Sequence, residues 1–315
     1  MSVPVLAIAG FLGAGKTTLL NHLLRNSRGV RIGALVNDFG AVNIDAMLVA
    51  GQVDAMASLS NGCICCAVDA SEAAEMLGKL AAVRPALDLI VVEASGVAEP
   101  QVLARTIATA EDDRFHYAGL VLVVDAVQPA DLGHGVAVAD LVVLNKISEA
   151  SGDDVTARIR ELNPRVPVLP TDFARIDPEL LIDPPVARKP QAQLSFDELL
   201  HDHHHDHDDH HHPEYQSVQF CTGDMVNPRH FLQFLQGRPQ GLYRAKGFVD
   251  FGPNGRFLVQ LVGSSLRFQK ARGRGTELVL IGTGMDVAAL EAGLAACTRE
   301  PADDNAMLGL GKYIV

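Results

Sequence analysis

The sequence predicts a doubly wound α/β domain with a mostly parallel sheet, followed by a smaller C-terminal α+β domain. Runs rich in Val and Leu recur through the first 185 residues, and each is followed by polar or Gly residues and then a helical stretch. Continuously apolar strands separated by helices are typical of parallel sheets that are covered on both faces. After a break rich in proline and histidine, further strands and helical stretches indicate a second folding unit.

Five strands are predicted in the first domain, at residues 3–9, 87–93, 120–125, 141–145 and 166–169. An amphipathic helix over residues 17–24 follows the first of them. Ligands of doubly wound sheets lie at the carboxyl ends of the strands. Glu93, Asp125 and Asn145 fall at such ends, so we expect these side chains to lie near a ligand.

We predict that the first domain spans residues 1–185, a flexible linker spans 186–214 and the C-terminal domain spans 215–315. The linker contains the tract 201–212, which holds eight of the chain's twelve histidines and has no apolar residue to bury. This tract is either a polar spacer or a loose binding zone for divalent metal. The C-terminal domain is predicted to contain strands at 216–221, 247–251, 257–262 and 278–281 and helices at 229–235 and 287–296.

The composition excludes several classes of protein. A chain of 315 residues with 48% hydrophobic content can bury a sizeable core, and its net charge of −12 argues against binding nucleic acid through phosphates. It contains no run of about eighteen apolar residues and no recognisable secretion signal, so we expect no membrane association and a cytoplasmic location. Cys221 and Cys297 lie in apolar surroundings and are expected to be buried free thiols.

The segment 10–17, GFLGAGKT, matches the phosphate-binding pattern G-x-x-x-x-G-K-[ST] and lies between a predicted strand and a predicted helix. Its glycines let backbone N–H groups point at phosphate oxygens, and the helix dipole adds positive potential. Lys16 would neutralise the terminal phosphates, and the Thr17 hydroxyl would bind Mg²⁺. The predicted nucleotide-binding residues of this segment are Gly10, Gly13, Ala14, Gly15, Lys16, Thr17 and Thr18.

Three cysteines, Cys63, Cys65 and Cys66, lie within four positions downstream of the phosphate-binding segment. Thiolates bind zinc and other soft or borderline ions far better than Mg²⁺, so a second kind of metal is predicted. In an extended segment Cys63 and Cys65 project to the same face, and Cys66 joins them only if the backbone turns, which Gly62 permits. A redox pair and inert buried thiols are the alternatives.

Together these features resemble the CobW-like P-loop GTPases, a family of nucleotide-dependent metallochaperones and metalloenzyme activators. The resemblance covers nearly the whole chain. Its motifs here are residues 10–17, 37–40, 61–66, 93–96, 145–146, the histidine-rich tract and 243–247.

The resemblance implies roles for individual residues. Lys16, Glu93 and Asp38 would be catalytic: Glu93 would hold Mg²⁺ or orient the attacking water, and Asp38 would lie in a switch loop that senses the terminal phosphate. A satisfied structural carboxylate at Glu93 and a solvated turn at Asp38 are the alternatives. Gly96, Asn145 and Lys146 would complete the nucleotide site.

One position departs from the family pattern. Guanine-selective relatives follow the Asn-Lys pair with one residue and then Asp, whose carboxylate accepts two guanine N–H groups, whereas this chain has Ser148 there. A charge-assisted bidentate contact is stronger than a neutral one, so Ser148 predicts a weaker preference for guanine unless Glu149 replaces the missing acid.

The function implied by the resemblance is GTP hydrolysis with Mg²⁺, coupled to the delivery of zinc from the cysteine cluster to a client metalloprotein. Two alternatives stay open at this point: an activator that inserts cobalt or iron into a metalloenzyme, and a metal buffer for which the nucleotide is a regulatory ligand. Homodimer formation is left open as well.

Overall fold

The computed structural model describes residues 2–27, 29–36, 55–58, 70–96, 99–129, 132–182, 215–237, 239–300 and 305–314. The strands of the N-terminal half are β1 Val3–Gly10, β2 Ile32–Val36, β3 Ala55–Ser58, β4 Leu89–Glu93, β5 Phe115–Asp125, β6 Leu141–Asn145 and β7 Val168–Pro170. Its helices are α1 Lys16–Arg25, α2 Ala70–Ala81, α3 Pro100–Ala108, α4 Gly133–Val138 and α5 Asp153–Leu162.

Among the described residues, β1–β7 form one sheet in the order β3-β2-β4-β1-β5-β6-β7, and every neighbouring pair is parallel. Side chains alternate along each strand, so Val5 and Ala7 of β1 pack on one face and Leu6 and Ile8 on the other. The first face is covered by α2–α5 and the second by α1. The predicted doubly wound parallel sheet is confirmed.

The C-terminal half contains β8 Tyr215–Thr222, β9 Leu242–Asp250, β10 Arg256–Val262, β11 Ser265–Ala271 and β12 Thr276–Thr283, with helices α6 Pro228–Gly237 and α7 Val287–Ala296. These strands form an antiparallel sheet in the order β11-β10-β9-β12-β8. Its core contains the mutually packed rings of Phe231, Phe251, Phe257 and Phe268, all almost fully buried. The predicted α+β unit is confirmed.

The C-terminal sheet packs against the α1 face of the first sheet. Tyr243 belongs to the core on that face, and its hydroxyl donates to the backbone oxygen of Val168 at 3.2 Å. The backbone N–H of Ser264 donates to the backbone oxygen of Asp140 at 2.8 Å, and the Arg244 guanidinium donates to the Ile182 carbonyl at 3.0 Å. The domain boundaries at 185 and 214 stay predictions, because residues 183–214 are outside the described part of the chain.

Several sequence-based expectations need correction. β5 and β9 each begin five residues before the predicted start, and β2, β3 and β11 have no counterpart among the predicted strand ranges. Cys221 is exposed rather than buried, because it lies on β8, an edge strand of the C-terminal sheet, whereas Cys297 is buried as expected. In the described residues, no helix is both long enough and apolar enough to cross a membrane.

Candidate nucleotide-binding site

The chain turns sharply between the end of β1 and the start of α1, and three glycines in this loop have positive φ angles: 144° at Gly10, 78° at Gly13 and 110° at Gly15. A Cβ at Gly10 would lie 2.2 Å from the Val123 carbonyl oxygen, and one at Gly15 would lie 2.5 Å from Asn145 Nδ2. Glycine is therefore required on both conformational and steric grounds. The resulting loop presents backbone N–H groups at the first turn of a helix, which is the arrangement that binds phosphate.

Lys16 occupies the first position of α1 and is only 7% exposed. Its ammonium group donates to the Phe11 carbonyl across the loop at 3.0 Å. Burial lowers the pKa of Lys16, and the nearby Glu93 carboxylate partly opposes that effect. The amine is thus held over the loop, where a bound triphosphate would place its negative charge.

Thr17 and Glu93 lie beside Lys16 at the carboxyl ends of the strands. Thr17 Oγ1 donates to Glu93 Oε1 at 2.6 Å, and Glu93 is the last residue of β4, 7% exposed. A hydroxyl and a carboxylate oxygen that lie this close can both reach one small cation, and oxygen is the ligand that Mg²⁺ prefers. This pair therefore fits the magnesium ion that accompanies a nucleoside triphosphate.

Asn145 connects the phosphate-binding loop to a second loop. Its side chain is 3% exposed, donates from Nδ2 to the Ala14 carbonyl at 2.9 Å and accepts at Oδ1 from the Ala174 N–H at 2.8 Å. Both polar atoms of a buried amide are thus satisfied, as burial requires. The contact fixes the loop after β7 next to the phosphate-binding loop.

Lys146 has a φ angle of 65°, and its ammonium group donates to Asp125 Oδ2 at 2.6 Å. The other carboxylate oxygen of Asp125 accepts from the backbone N–H groups of Val127 and Gln128. Burial alone would raise the pKa of Asp125, but the hydrogen bonds from Lys146 and the two backbone groups outweigh burial and lower it. Asp125 stays ionised and holds the Lys146 side chain in one direction.

Gly96 lies in the loop after β4. A Cβ added there would be 2.8 Å from Leu12 Cα and 2.9 Å from the Leu12 nitrogen, so the two loops touch through their backbones. Thr18 is exposed in the first turn of α1, and Ala14 is buried beneath the loop. The predicted nucleotide-binding residues thus lie together at the carboxyl ends of the parallel strands.

Other predicted site residues lie outside the described residues: Asp38, Cys63, Cys65, Cys66 and the histidines of 201–212. Their roles stay predictions. Within the part of the chain that is described, no group of three or more His, Cys, Asp or Glu side chains is placed to hold a metal ion.

Sequence inspection missed one polar contact at these strand ends. Asp172 accepts at Oδ1 from both the Ser148 hydroxyl, at 2.8 Å, and the Ser148 backbone N–H, at 3.0 Å. The signal that could have revealed it is positional, because Asp172 follows the carboxyl end of β7 as Ser148 follows that of β6.

The fold and this site define a P-loop nucleotide-binding protein. Residues 4–170 match the family model described as CobW/HypB/UreG, nucleotide-binding domain, and residues 215–298 match the model for the C-terminal domain of the cobalamin synthesis protein cobW. The chain belongs to the CobW/HypB/UreG family.

Named relatives are similar over different shares of the chain. The zinc chaperone CobW of Sinorhizobium sp is 31% identical over 93% of this chain and 97% of its own. The zinc-regulated GTPase metalloprotein activator 1 of Dictyostelium discoideum is 39% identical over 33% of this chain and 24% of its own. The crystal structure of the Zn(II)-bound YjiA GTPase from E. coli covers 94% of this chain and 99% of its own at 23% identity, with a TM-score of 0.45.

Proposed function

We propose that this protein is a GTP-hydrolysing metallochaperone whose nucleotide state controls the binding of zinc at Cys63, Cys65 and Cys66 and its delivery to a client protein. The observation that carries the hydrolase part is the contact between Thr17 and Glu93 beside the buried Lys16. The names of the relatives, a zinc chaperone and a zinc-regulated GTPase, support guanine nucleotide and zinc as ligands.

Charge stabilisation is the main task of the chain's own residues in this reaction. Phosphoryl transfer to water places negative charge on the transferred group and on the leaving oxygen. Lys16 and the N–H groups of the loop offset that charge from fixed positions, so little reorganisation is needed as the charge develops. The magnesium ion that Thr17 and Glu93 would hold neutralises further phosphate charge when it is bound.

The metal part of the proposal depends on thiolate chemistry. Three thiolates and one exchangeable ligand form a tetrahedral zinc site that stays open for transfer. Zinc is the cargo in this scheme, and Mg²⁺ belongs to the nucleotide. Asp38 is assigned to the switch loop that responds to the terminal phosphate. The histidine-rich tract would capture divalent metal, with the client receiving it from the cysteines.

Phosphate release from GTP in the presence of Mg²⁺ tests the hydrolase part. The variant Lys16→Ala should lower kcat/KM by about 10²–10³, the usual cost of removing one fixed donor to transition-state charge. Lys79→Ala is the matched control, because Lys79 is exposed on α2 and its ammonium group pairs with Glu75 of the same helix at 2.7 Å. It should retain activity within about twofold.

Equal phosphate release by the wild type and Lys16→Ala would contradict hydrolysis at this site and leave a nucleotide-regulated metal buffer as the better proposal. Metal analysis of protein purified with GTP and Mg²⁺, without metal-affinity resin, tests the identity of the cargo. Zinc is expected, and stoichiometric cobalt or iron would favour an activator that inserts one of those metals into an enzyme.

A further inference from the structure

Ser148 occupies the sequence position at which guanine-selective relatives have an acid. In the folded protein, a carboxylate from another loop contacts the Ser148 side chain. Asp172 comes from the loop after β7, and one of its oxygens, Oδ1, accepts from both the hydroxyl and the backbone N–H of Ser148. Glu149, the alternative that the sequence suggested, is exposed, and its backbone N–H bonds back to the Lys146 carbonyl. The carboxylate that contacts Ser148 is therefore that of Asp172.

The loop that carries Asp172 is held in place from several sides. The Thr171 hydroxyl donates to the Arg175 carbonyl at 2.5 Å, and the Arg175 N–H donates to the Asp172 carbonyl at 3.1 Å, which closes the turn. The Ala174 N–H donates to Asn145, the residue that also contacts the phosphate-binding loop. Asp172 is thus fixed relative to the phosphate-binding loop through a short chain of hydrogen bonds.

The carboxylate keeps free acceptor capacity. An ionised carboxylate has about four lone-pair sites on two oxygens, and both Ser148 bonds use Oδ1. Among the described residues, no donor bonds to the second oxygen, Oδ2. A ligand with two adjacent N–H donors can therefore bind to this carboxylate, and a charge-assisted contact of that kind is strong.

The residue after Asp172 also indicates a ligand surface. Phe173 has a φ angle of 54° and is 70% exposed, although large apolar side chains seldom combine exposure with a left-handed backbone. Such conformations cost free energy and cluster at ligand sites. The Arg175 guanidinium lies 5.6 Å from the centre of the Phe173 ring. An exposed aromatic ring therefore directly follows Asp172 in the same loop, and an exposed ring can stack on a flat heterocycle.

We propose that Asp172, held by Ser148, accepts the ring N–H and the exocyclic amine of guanine and so determines the base preference of this protein. This inference rests on the proposed nucleotide function and specifies its substrate. Adenine presents a lone pair where guanine presents the ring N–H, so the carboxylate repels it. The preference for guanine that Ser148 alone would weaken is restored by an acid from a different loop.

Binding of GDP, ADP, IDP and XDP, measured by competition against a fluorescent nucleotide, tests this proposal without relying on turnover. Hypoxanthine lacks the exocyclic amine, so the wild type should bind IDP about 10-fold to 150-fold more weakly than GDP, the range for one charged hydrogen bond. ADP should bind more weakly still. Asp172→Asn should weaken GDP at least tenfold and strengthen XDP, because the new amide donates to the xanthine carbonyl.

Several controls separate this role from a structural one. Asparagine keeps an oxygen that can accept from Ser148, so the loop stays folded, and ADP affinity should not fall; it should rise if anything, because the carboxylate that repels adenine is gone. Asp154→Asn removes the same charge from an exposed position on α5 and should leave all four affinities unchanged. Ser148→Asp should not strengthen GDP, because it would place a second carboxylate against Asp172.

A wild type that binds GDP and ADP equally, or an Asp172→Asn variant with an unchanged ratio of GDP to ADP, would overturn the inference and leave the proposed function standing. A wild type that binds none of the four nucleotides would overturn the proposed function and the inference with it. Tighter GDP binding by Ser148→Asp would also overturn the inference, because it would show that the acid was missing.

Discussion

At the scale of single residues, the buried Lys16 and the partly buried Lys246 show how the surroundings of a lysine set its pKa. Burial lowers the pKa of both Lys16 and Lys246. Glu93 opposes the effect at Lys16, whereas Arg244 adds repulsion at Lys246 and brings its pKa to about 7. Lys246 is thus about half protonated at pH 7 and largely neutral well above it, whereas the Glu93 carboxylate favours the charged form of Lys16.

Lys246 lies in a cavity of about 280 Å³ between the two sheets. The ionisable groups that line this cavity besides Lys246 are Asp88, His116, Tyr117, Arg244, Arg267, Lys312 and Tyr313. In the unfolded chain a lysine titrates near pH 10.4. Between about pH 7 and pH 10 the unfolded state therefore binds one proton more than the folded state, and the free energy of unfolding rises with pH.

This linkage predicts a pH-dependent difference between the wild type and Lys246→Met. As pH rises from 7 to 9, the difference in free energy of unfolding should shift in favour of the wild type, by at most about 1.4 kcal/mol per pH unit. Below pH 7 the slope should fade, because both states of the wild type are then protonated. Chemical denaturation at pH 6, 7, 8 and 9 measures the effect, with the exposed Lys270→Met as control. A constant difference for Lys246→Met would show that Lys246 titrates normally.

At the scale of elements, the candidate site depends on the close packing of loops from different strands. Asn145 ties the phosphate-binding loop to the loop after β7, and Gly96 brings the loop after β4 against Leu12. None of these loops could form the site alone. A change that separates two of these loops should therefore weaken triphosphate binding.

Gly96→Ala tests this packing. Its Cβ would meet backbone atoms of Leu12 at 2.8 Å and 2.9 Å, and backbone cannot turn aside as a side chain can. We expect at least a tenfold loss of affinity for a GTP analogue, about 1.4 kcal/mol. Gly237→Ala is the control, because nothing lies within 4 Å of a Cβ there. Unchanged affinity in Gly96→Ala would mean that the phosphate-binding loop does not depend on this contact.

The local pattern of apolar residues in the sequence predicted some elements to the exact residue. The strand at 141–145 and the helix at 287–296 have their predicted bounds. β9 begins five residues before its predicted start, because Tyr243, Arg244 and Lys246 face the other domain and interrupt the apolar pattern. The roles of such residues could not be predicted from the sequence, because their partners in the folded molecule lie far away in the chain.

In the candidate site, too, some residues could be predicted from the local sequence and others could not. The glycines, Lys16, Thr17 and Glu93 could be recognised because their spacing or position in the sequence reflects their chemistry. The contact between Ser148 and Asp172 could not, because it depends on the pairing of β6 with β7, which brings residues 24 positions apart to one edge of the sheet.

At the scale of the whole molecule, β2 and β3, the strands that precede the predicted switch and the cysteine cluster in the chain, lie on the same side of β4 in the sheet. Glu93 pairs in register with Val36, and Val36 pairs with Ser58. Two steps between neighbouring strands amount to about 10 Å. Asp38 follows Val36 by two positions and Cys63 follows Ser58 by five. In the sequence, both predicted elements therefore follow strands whose ends lie one and two strand spacings from Glu93.

This arrangement predicts that nucleotide and zinc affect each other's binding. Ordering of the switch by the terminal phosphate should pre-form the thiolate site, and hydrolysis should loosen it. Such coupling is reciprocal: if a GTP analogue tightens zinc binding tenfold, about 1.4 kcal/mol, then zinc tightens the analogue by the same factor. A zinc ion that only stabilises the fold would be indifferent to the nucleotide.

Zinc affinity measured by chelator competition, with no nucleotide, with GDP and Mg²⁺, and with a non-hydrolysable GTP analogue and Mg²⁺, tests this claim most directly. Nucleotide-controlled delivery predicts the tightest zinc binding with the GTP analogue, weaker binding in all states for Cys63→Ala, Cys65→Ala and Cys66→Ala, and no change for the exposed Cys221→Ala. Equal zinc affinity of the wild type in the three nucleotide states would contradict nucleotide-controlled delivery, and unchanged affinity in the three cluster variants would place the zinc site elsewhere.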